Sequence, residues 1–182
     1  MIKRINAPIT EETIQTLKAG DTVLLSGVVY TARDAAHKRM CQALESGQKL
    51  PFSLEGAVIY YVGPTPAKPG QVIGSAGPTT SGRMDAYAPK LIERGLKGMI
   101  GKGQRAKEVI DAMVAHGAVY FAATGGAGAL LASRITRCEL VAWEDLGTEA
   151  VRKLEVVDFP LTVVIDREGT NLYDMAARDY QE

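Results

Sequence analysis

The chain has 182 residues, 46% of them hydrophobic and 23% charged, with 21 basic side chains balanced by 21 acidic ones. That length and apolar content suit one globular domain spanning residues 1–182 with a sizeable core. The balance excludes a bulk field that would gather nucleic acid or an anionic membrane, so any positive charge that matters must be local. Cys41 and Cys138 stand far apart and outside any C-x-x-C pair. They argue against zinc or iron–sulfur ligation by this chain alone and read as small buried apolar groups. Residues 1–6 lack an apolar targeting core and no window reaches membrane-spanning length, so the expected compartment is the cytoplasm.

Apolar β-type runs alternate with helical patterns along most of the chain. Strands are predicted over residues 22–30, 57–62, 71–76, 98–100, 118–123, 135–143 and 161–166. The Pro-rich stretch 63–70 reads as an exposed loop between two strands, as in a hairpin. Thr31-Ala32-Arg33-Asp34 matches a capping box, so a helix is expected to open at Thr31. Ala32, Ala35, Ala36, Met40, Ala43 and Leu44 then form its buried face. Arg33 in a first turn opposes the helix dipole, a placement that makes sense if the arginine and the free N–H groups share an anion.

After residue 83 the apolar spacing is interrupted by Pro89, so a helix should begin at Ala88 or Pro89 and leave 81–87 as an ordered loop. A further helix is predicted over 104–116, with Ala106, Val109, Ile110 and Met113 inward and Gly117 as its stop. The strand 161–166 and the turn 166–169 read as plain structure. The whole pattern predicts an α/β fold with a mixed sheet, containing both parallel and antiparallel pairs.

Several segments carry chemistry-bearing residues. Gly77-Pro78-Thr79-Thr80-Ser81-Gly82-Arg83-Met84-Asp85 follows the apolar run 71–76 and combines a Gly-Pro break, hydroxyls and a guanidinium. Such a turn suits an oxyanion: Arg83 can grip a carboxylate while Thr79 or Thr80 approaches the reacting carbon. The plainer reading is a turn whose hydroxyls cap a helix. Arg33 and His37 lie one helical turn apart and form either a cationic pair or part of a solvated face with Lys38 and Arg39. His37 suits a general base or an orienting group, and His116 reads as structural.

Gly101-Lys102-Gly103 presents a point charge between two glycines but fails the P-loop spacing. Thr124-Gly125-Gly126-Ala127-Gly128 lacks the third glycine of a dinucleotide fingerprint and suits close packing at a helix start. Trp143-Glu144-Asp145-Leu146-Gly147 ends a strand with two acids, which either hold the cationic groups in place or form a surface turn.

Taken in order, the Thr31–His37 block, the Gly77–Asp85 block, Gly101-Lys102-Gly103, Ala123-Thr124-Gly125-Gly126 and Trp143–Gly147 resemble the β subunit, or C-terminal domain, of iron–sulfur class I fumarate hydratases and L-tartrate dehydratases. The likeness runs from about residue 6 to residue 166. It implies a swivelling β/β/α fold and a site shared with an α subunit. That partner would carry a four-iron four-sulfur cluster on three cysteines, with one open iron, and this chain would bind no cofactor alone. The resemblance places substrate-binding arginines at Arg33 and Arg83, a substrate-binding lysine at Lys102 and a catalytic threonine at Thr79. His37, Thr80 and Asp85 would be supporting residues. A threonine alkoxide is scarce near neutral pH, so Asp85 and His37 stand as in-chain alternatives for the base. The expected reaction is reversible hydration of fumarate to L-malate. Conversion of L-tartrate to oxaloacetate is the alternative, and a small-anion-binding module without chemistry is the non-enzyme rival.

Overall fold

The computed structural model describes residues 2–123 and 128–179. In chain order it contains β1 (Ile2–Ala7), α1 (Glu11–Thr16), β2 (Thr22–Thr31), α2 (Asp34–Glu45), β3 (Val58–Tyr60), α3 (Ala88–Glu93), β4 (Gly98–Gly101), α4 (Lys107–His116), β5 (Val119–Ala123), α5 (Gly128–Ala132), β6 (Ile135–Ala142), β7 (Val151–Ile165) and α6 (Leu172–Asp179). Short 3₁₀ turns occupy Ser81–Met84 and Glu144–Glu149.

The seven strands form one mixed sheet in the order β1-β2-β3-β4-β5-β7-β6, and β2 also pairs with β7. That extra pairing closes β2, β3, β4, β5 and β7 into a barrel. β2 through β5 run parallel, while β7 runs antiparallel to both β2 and β5. The parallel strands need crossover connections, and α2, α3 and α4 supply them.

Alternation along the strands builds two apolar layers. Val58, Tyr60, Ile100, Val119 and Phe121 join Leu25, Leu154, Phe159 and Leu161 in one cluster that fills the barrel. Ile59, Tyr61, Met99 and Tyr120 point the other way, against Met40, Met84, Leu91, Val109 and Met113 of the helical layer. With both faces covered, β3 to β5 read as continuous apolar runs, which is why the sequence reveals them.

Four expectations are corrected. Residues 71–76 form no strand, because both edges of β3 are already taken by β2 and β4. The segment instead folds back on its own loop: Thr65 N donates to Ser75 O at 3.1 Å and Ser75 N donates to the Thr65 hydroxyl at 2.7 Å. The Pro-rich loop is therefore no hairpin turn. The capping box at Thr31 is not formed either. Thr31 ends β2, and its hydroxyl donates to Ala150 O at 3.3 Å and accepts from Arg152 N at 3.0 Å. The helix begins at Asp34, with Arg33 as an extended N-cap residue. Finally, β7 starts ten residues before the predicted strand, since its N-terminal half pairs with β6 and β2 despite carrying Arg152, Lys153, Glu155 and Asp158. Pro89 opens α3 as expected.

β2 bulges between Leu25 and Gly27, where the Ser26 hydroxyl accepts from Asp158 N at 3.0 Å. Gly27 adopts φ +115°, and a Cβ there would collide with the carbonyl oxygen of Ala7 on β1. Gly47 also has positive φ, but open space surrounds it. Gly27→Ala is expected to cost about 3 kcal/mol, against about 1 kcal/mol for Gly47→Ala, in urea unfolding. Equal losses would contradict the close β1–β2 approach.

Candidate functional site

Because β2, β3 and β4 are parallel, their C-terminal ends share one rim of the barrel, the usual place for ligands in such sheets. The backbone just past each end is laced to its neighbour: Ala32 N donates to Tyr60 O at 3.2 Å, and Tyr61 N donates to Ile100 O at 2.8 Å. Thr79 N donates to Tyr61 O at 2.7 Å, Thr80 forms a bridge with Lys102, and Ser81 N donates to Lys102 O at 2.8 Å. The Thr79–Arg83 stretch therefore docks on the ends of β3 and β4, although no strand precedes it.

Every cationic candidate leaves from this rim. Arg33 lies two residues past β2, Lys102 one past β4, and Arg83 in the 3₁₀ turn after Thr80. Asp34 sits between the two arginines, with Oδ1 3.9 Å from Arg33 Nε and Oδ2 3.8 Å from Arg83 Nη1. Those distances hold charge together without hydrogen bonds. Arg33 Nε and Asp34 Oδ1 are buried with no hydrogen-bond partner among the described residues. Buried polar groups are normally satisfied, so this cluster is chemically incomplete as it stands. The Arg83 side chain is 61% exposed, and Lys102 and Thr80 are exposed while Thr79 is half-buried.

Two glycines let these parts approach. A Cβ on Gly63 would come within 3.0 Å of Arg33 Nη1. A Cβ on Gly101 would collide with the Ser81 hydroxyl and lie 2.8 Å from the Tyr61 ring.

His37 and Asp85 face inward. His37 is fully buried, and its Nδ1 lies 2.8 Å from Arg33 O. A carbonyl only accepts, so Nδ1 carries the proton and Nε2 is left as a bare acceptor. Nε2 has no partner among the described residues. Burial pushes the imidazole down to about 4, against a smaller upward pull from the Arg33 carbonyl. His37 is thus a neutral group that holds the N-terminus of α2, and it forms no cationic pair with Arg33. Both Asp85 oxygens are occupied, one by Arg105 Nε at 2.8 Å and the other by Ala106 N at 2.8 Å. The acids of the 143–147 turn hold none of the rim cations among the described residues. Asp145 makes a bidentate pair with Arg39, at 3.0 and 2.9 Å, and Arg39 also lies over Trp143. The glycine-rich residues 124–127 lie outside the described residues.

The family model for the fumarase C-terminus matches residues 2–176. The chain belongs to the fumarase C-terminus family. It is 41% identical to a Methanocaldococcus jannaschii protein bearing the provisional name L(+)-tartrate dehydratase subunit beta, over 91% of this chain and 88% of that one. It is 40% identical to fumarate hydratase 2 of Leishmania major, over 85% of this chain and 28% of that protein. It is 36% identical to the aerobic class I fumarate hydratase of Escherichia coli, over 94% and 31%. The chain therefore spans most of the tartrate dehydratase subunit but under a third of these fumarate hydratases.

Among the described residues of this fumarase C-terminus chain, no group of three or more His, Cys, Asp or Glu side chains is arranged to hold a metal ion. Cys41 is buried and Cys138 half-buried, both are free, and burial raises both thiols. The donors present do not fit an iron–sulfur cluster. No helix among the described residues is long and apolar enough to cross a membrane.

Sequence reasoning missed Asp34 as the acid between two arginines, and missed Arg105, Tyr61, Ser81 and Tyr120 behind the rim. Arg105 is separated from Asp85 by twenty residues, and no spacing rule links them. The available signal was an arginine just ahead of a helix in the loop that carries Lys102.

The buried imidazole makes a pH prediction. His37 ionises in the unfolded chain near its ordinary 6.5 but only near 4 in the folded protein. Its contribution is complete above pH 6.5 and is lost as pH falls toward 4. Between pH 7 and pH 5 the wild type should lose about 2 kcal/mol of unfolding free energy through this group. His37→Asn keeps a donor for Arg33 O and should flatten that slope in urea titrations. Identical slopes would contradict a neutral His37.

Proposed function

We propose that this chain is the β subunit of a dicarboxylate hydro-lyase, contributing the cationic half of a site that an α subunit completes. The observation that carries the reading is the convergence of Arg33, Arg83, Thr79 and Lys102 on one rim, where the Arg33 Nε is buried and unspent. A dicarboxylate supplies acceptors for the donors that Arg33 and Arg83 leave without hydrogen bonds among the described residues. Fumarate hydratases and a tartrate dehydratase subunit among the relatives point to the same substrate class.

The reaction is reversible hydration of fumarate to L-malate. It needs a proton at one carbon and an oxygen at its neighbour. Removing the C–H proton of malate places charge on the adjoining carboxylate; that electron pair then forms the C=C bond as the C–O bond on the neighbouring carbon breaks, so that the lost proton and hydroxyl together amount to one water. Arg33 and Arg83 offer planar forks to the two carboxylates, and Lys102 adds a point charge. These cations stabilise the developing aci-carboxylate more than the ground state, which is where they accelerate the step. They also hold the substrate in one pose between the subunits. Thr79 is the group we place at the C–H. Its hydroxyl is a weak base alone, and neighbouring cations are needed to favour the alkoxide. Thr80 supports that loop through its bridge to Lys102. Asp85, engaged by Arg105 and Ala106, supports the loop from behind.

The four-iron four-sulfur cluster implied by the resemblance finds no ligand set among the described residues, so we place it on the α subunit and route no step through it. The length match to a tartrate dehydratase subunit favours L-tartrate to oxaloacetate as a second reading, since the fumarate hydratase relatives are about three times longer than the matched region.

The test is anaerobic co-production with the α subunit and assay on fumarate, L-malate and L-tartrate. Activity on fumarate and malate is expected only with both chains present, and turnover by this chain alone, without iron, would contradict the shared site. In that complex Arg83→Lys should lower kcat/KM by about tenfold to a hundredfold, because an ammonium cannot reproduce the fork. Wild-type kinetics would remove Arg83 from the site. Thr79→Ala should lower kcat by about a hundredfold or more with little change in KM. A rise in KM alone would make Thr79 a substrate-positioning group.

A further inference from the structure

Behind the rim lies a guanidinium that the proposed chemistry does not use. The Arg105 side chain is 0% exposed. Its Nε donates to Asp85 Oδ1 at 2.8 Å, its Nη2 to the Tyr61 hydroxyl at 3.1 Å and its Nη1 to Met99 Sδ at 3.5 Å. Its central carbon lies 5.2 Å from the Tyr61 ring centroid and 4.8 Å from that of Tyr120. Asp85 completes the grip with its second oxygen, which accepts from Ala106 N at 2.8 Å.

The two ends of this contact belong to different arms of the rim. Asp85 closes the loop that carries Thr79, Thr80 and Arg83. Arg105 and Ala106 close the loop that carries Lys102. A second tie runs parallel to the first. The Tyr120 hydroxyl donates to Gly103 O at 2.8 Å, so its 2.7 Å contact with Ser81 is donated by the serine hydroxyl. Burial raises the pKa of both Tyr61 and Tyr120, which keeps both hydroxyls protonated, Tyr61 accepting from Arg105 and Tyr120 donating to Gly103.

A buried ion pair gains little stability over well-packed apolar residues of the same volume, but removing one partner is costly. What the guanidinium provides here is direction, since a planar fork with all three nitrogens engaged admits one arrangement of the two loops. We propose that Arg105 is a positioning residue: with Asp85 it clamps the Thr79–Arg83 arm to the Lys102 arm, so that the two move as one body. The consequence for catalysis rests on the functional reading above. The clamp itself does not.

Residue-resolved amide hydrogen exchange on the full chain tests the clamp without turnover. In the wild type, Ser81 N–H and Ala106 N–H should open together, with one exchange free energy and one urea dependence. Arg105→Gln should speed both by about tenfold or more, while the β2–β7 ladder keeps its protection. Independent opening of the two amides in the wild type would overturn the proposal even if the variant fails to fold. So would unchanged exchange in Arg105→Gln, or an increase shared by the whole barrel.

In the two-subunit enzyme, Arg105→Lys should lower kcat/KM by about a hundredfold, whereas Leu154→Ala, which loosens the barrel interior, should leave it near wild type at a permissive temperature. Equal losses in the two variants would make Arg105 merely structural. If the wild-type complex turns over none of the substrates, the functional reading fails, and the exchange result still decides the clamp.

Discussion

β2 and β7 pair antiparallel from Thr22↔Thr162 to Tyr30↔Lys153, and the remaining architecture follows from that seam. It turns an open sheet into a barrel and leaves β2, β3, β4 and β5 parallel around the rest of the wall. Parallel neighbours cannot be joined by tight turns, so helices must cross the outside, and they cover the outer face with α2, α3 and α4. The inner face is then filled by side chains from every barrel strand. The C-terminal ends of β2, β3 and β4 are left together on one rim with their next backbone groups in bonding range. A slip of one residue at the seam would exchange the inner and outer faces of β2 and move Arg33 away from its neighbours.

The site depends on a division of labour among charged groups. Arg105 is fully buried, and its donors are spent on Asp85, Tyr61 and Met99. Arg33 and Arg83 stand nearer to solvent, touch Asp34 only at coulombic distance and keep their forks open. His37 is neutral and spends its one proton on the backbone that presents Arg33. The rigid charge lies behind the rim and the available charge lies on it, which is what preorganised stabilisation of an anion requires. The ion pairs elsewhere on the surface, such as Lys107–Asp111 and Lys18–Glu168, are exposed and add little to either stability or function.

The parts legible in the sequence were those with a strong local signature. Val58 to Tyr60 and Val119 to Phe121 are apolar on both faces and read as strands from the sequence. Pro89 marked the start of α3 and Gly117 the end of α4. Arg33, Thr79, Arg83 and Lys102 each stand in a short segment of glycines, hydroxyls or a helix start, and the fold gathers them on one rim. β1 escaped notice because it is an edge strand whose Lys3 and Arg4 pair with Asp21 and Asp158. Residues 71–76 look like a strand because Val72 and Ile73 are apolar, yet β3 is already flanked by β2 and β4, and the segment bonds to Thr65 instead. The capping box failed because Thr31 had a stronger claim on it from β7. Arg105 was invisible because its partners are Asp85, Tyr61 and Met99, which only the crossover connections bring together.

The function proposed for this chain requires the rim to be the anion-binding half of a site divided between two chains. A crystal structure of the two-subunit complex with a bound dicarboxylate tests it most directly. The ligand carboxylates should lie against Arg33, Arg83 and Lys102, with one reacting carbon beside Thr79 and the other facing the second subunit. A dicarboxylate held entirely by the partner, with these cations turned to solvent, would contradict it.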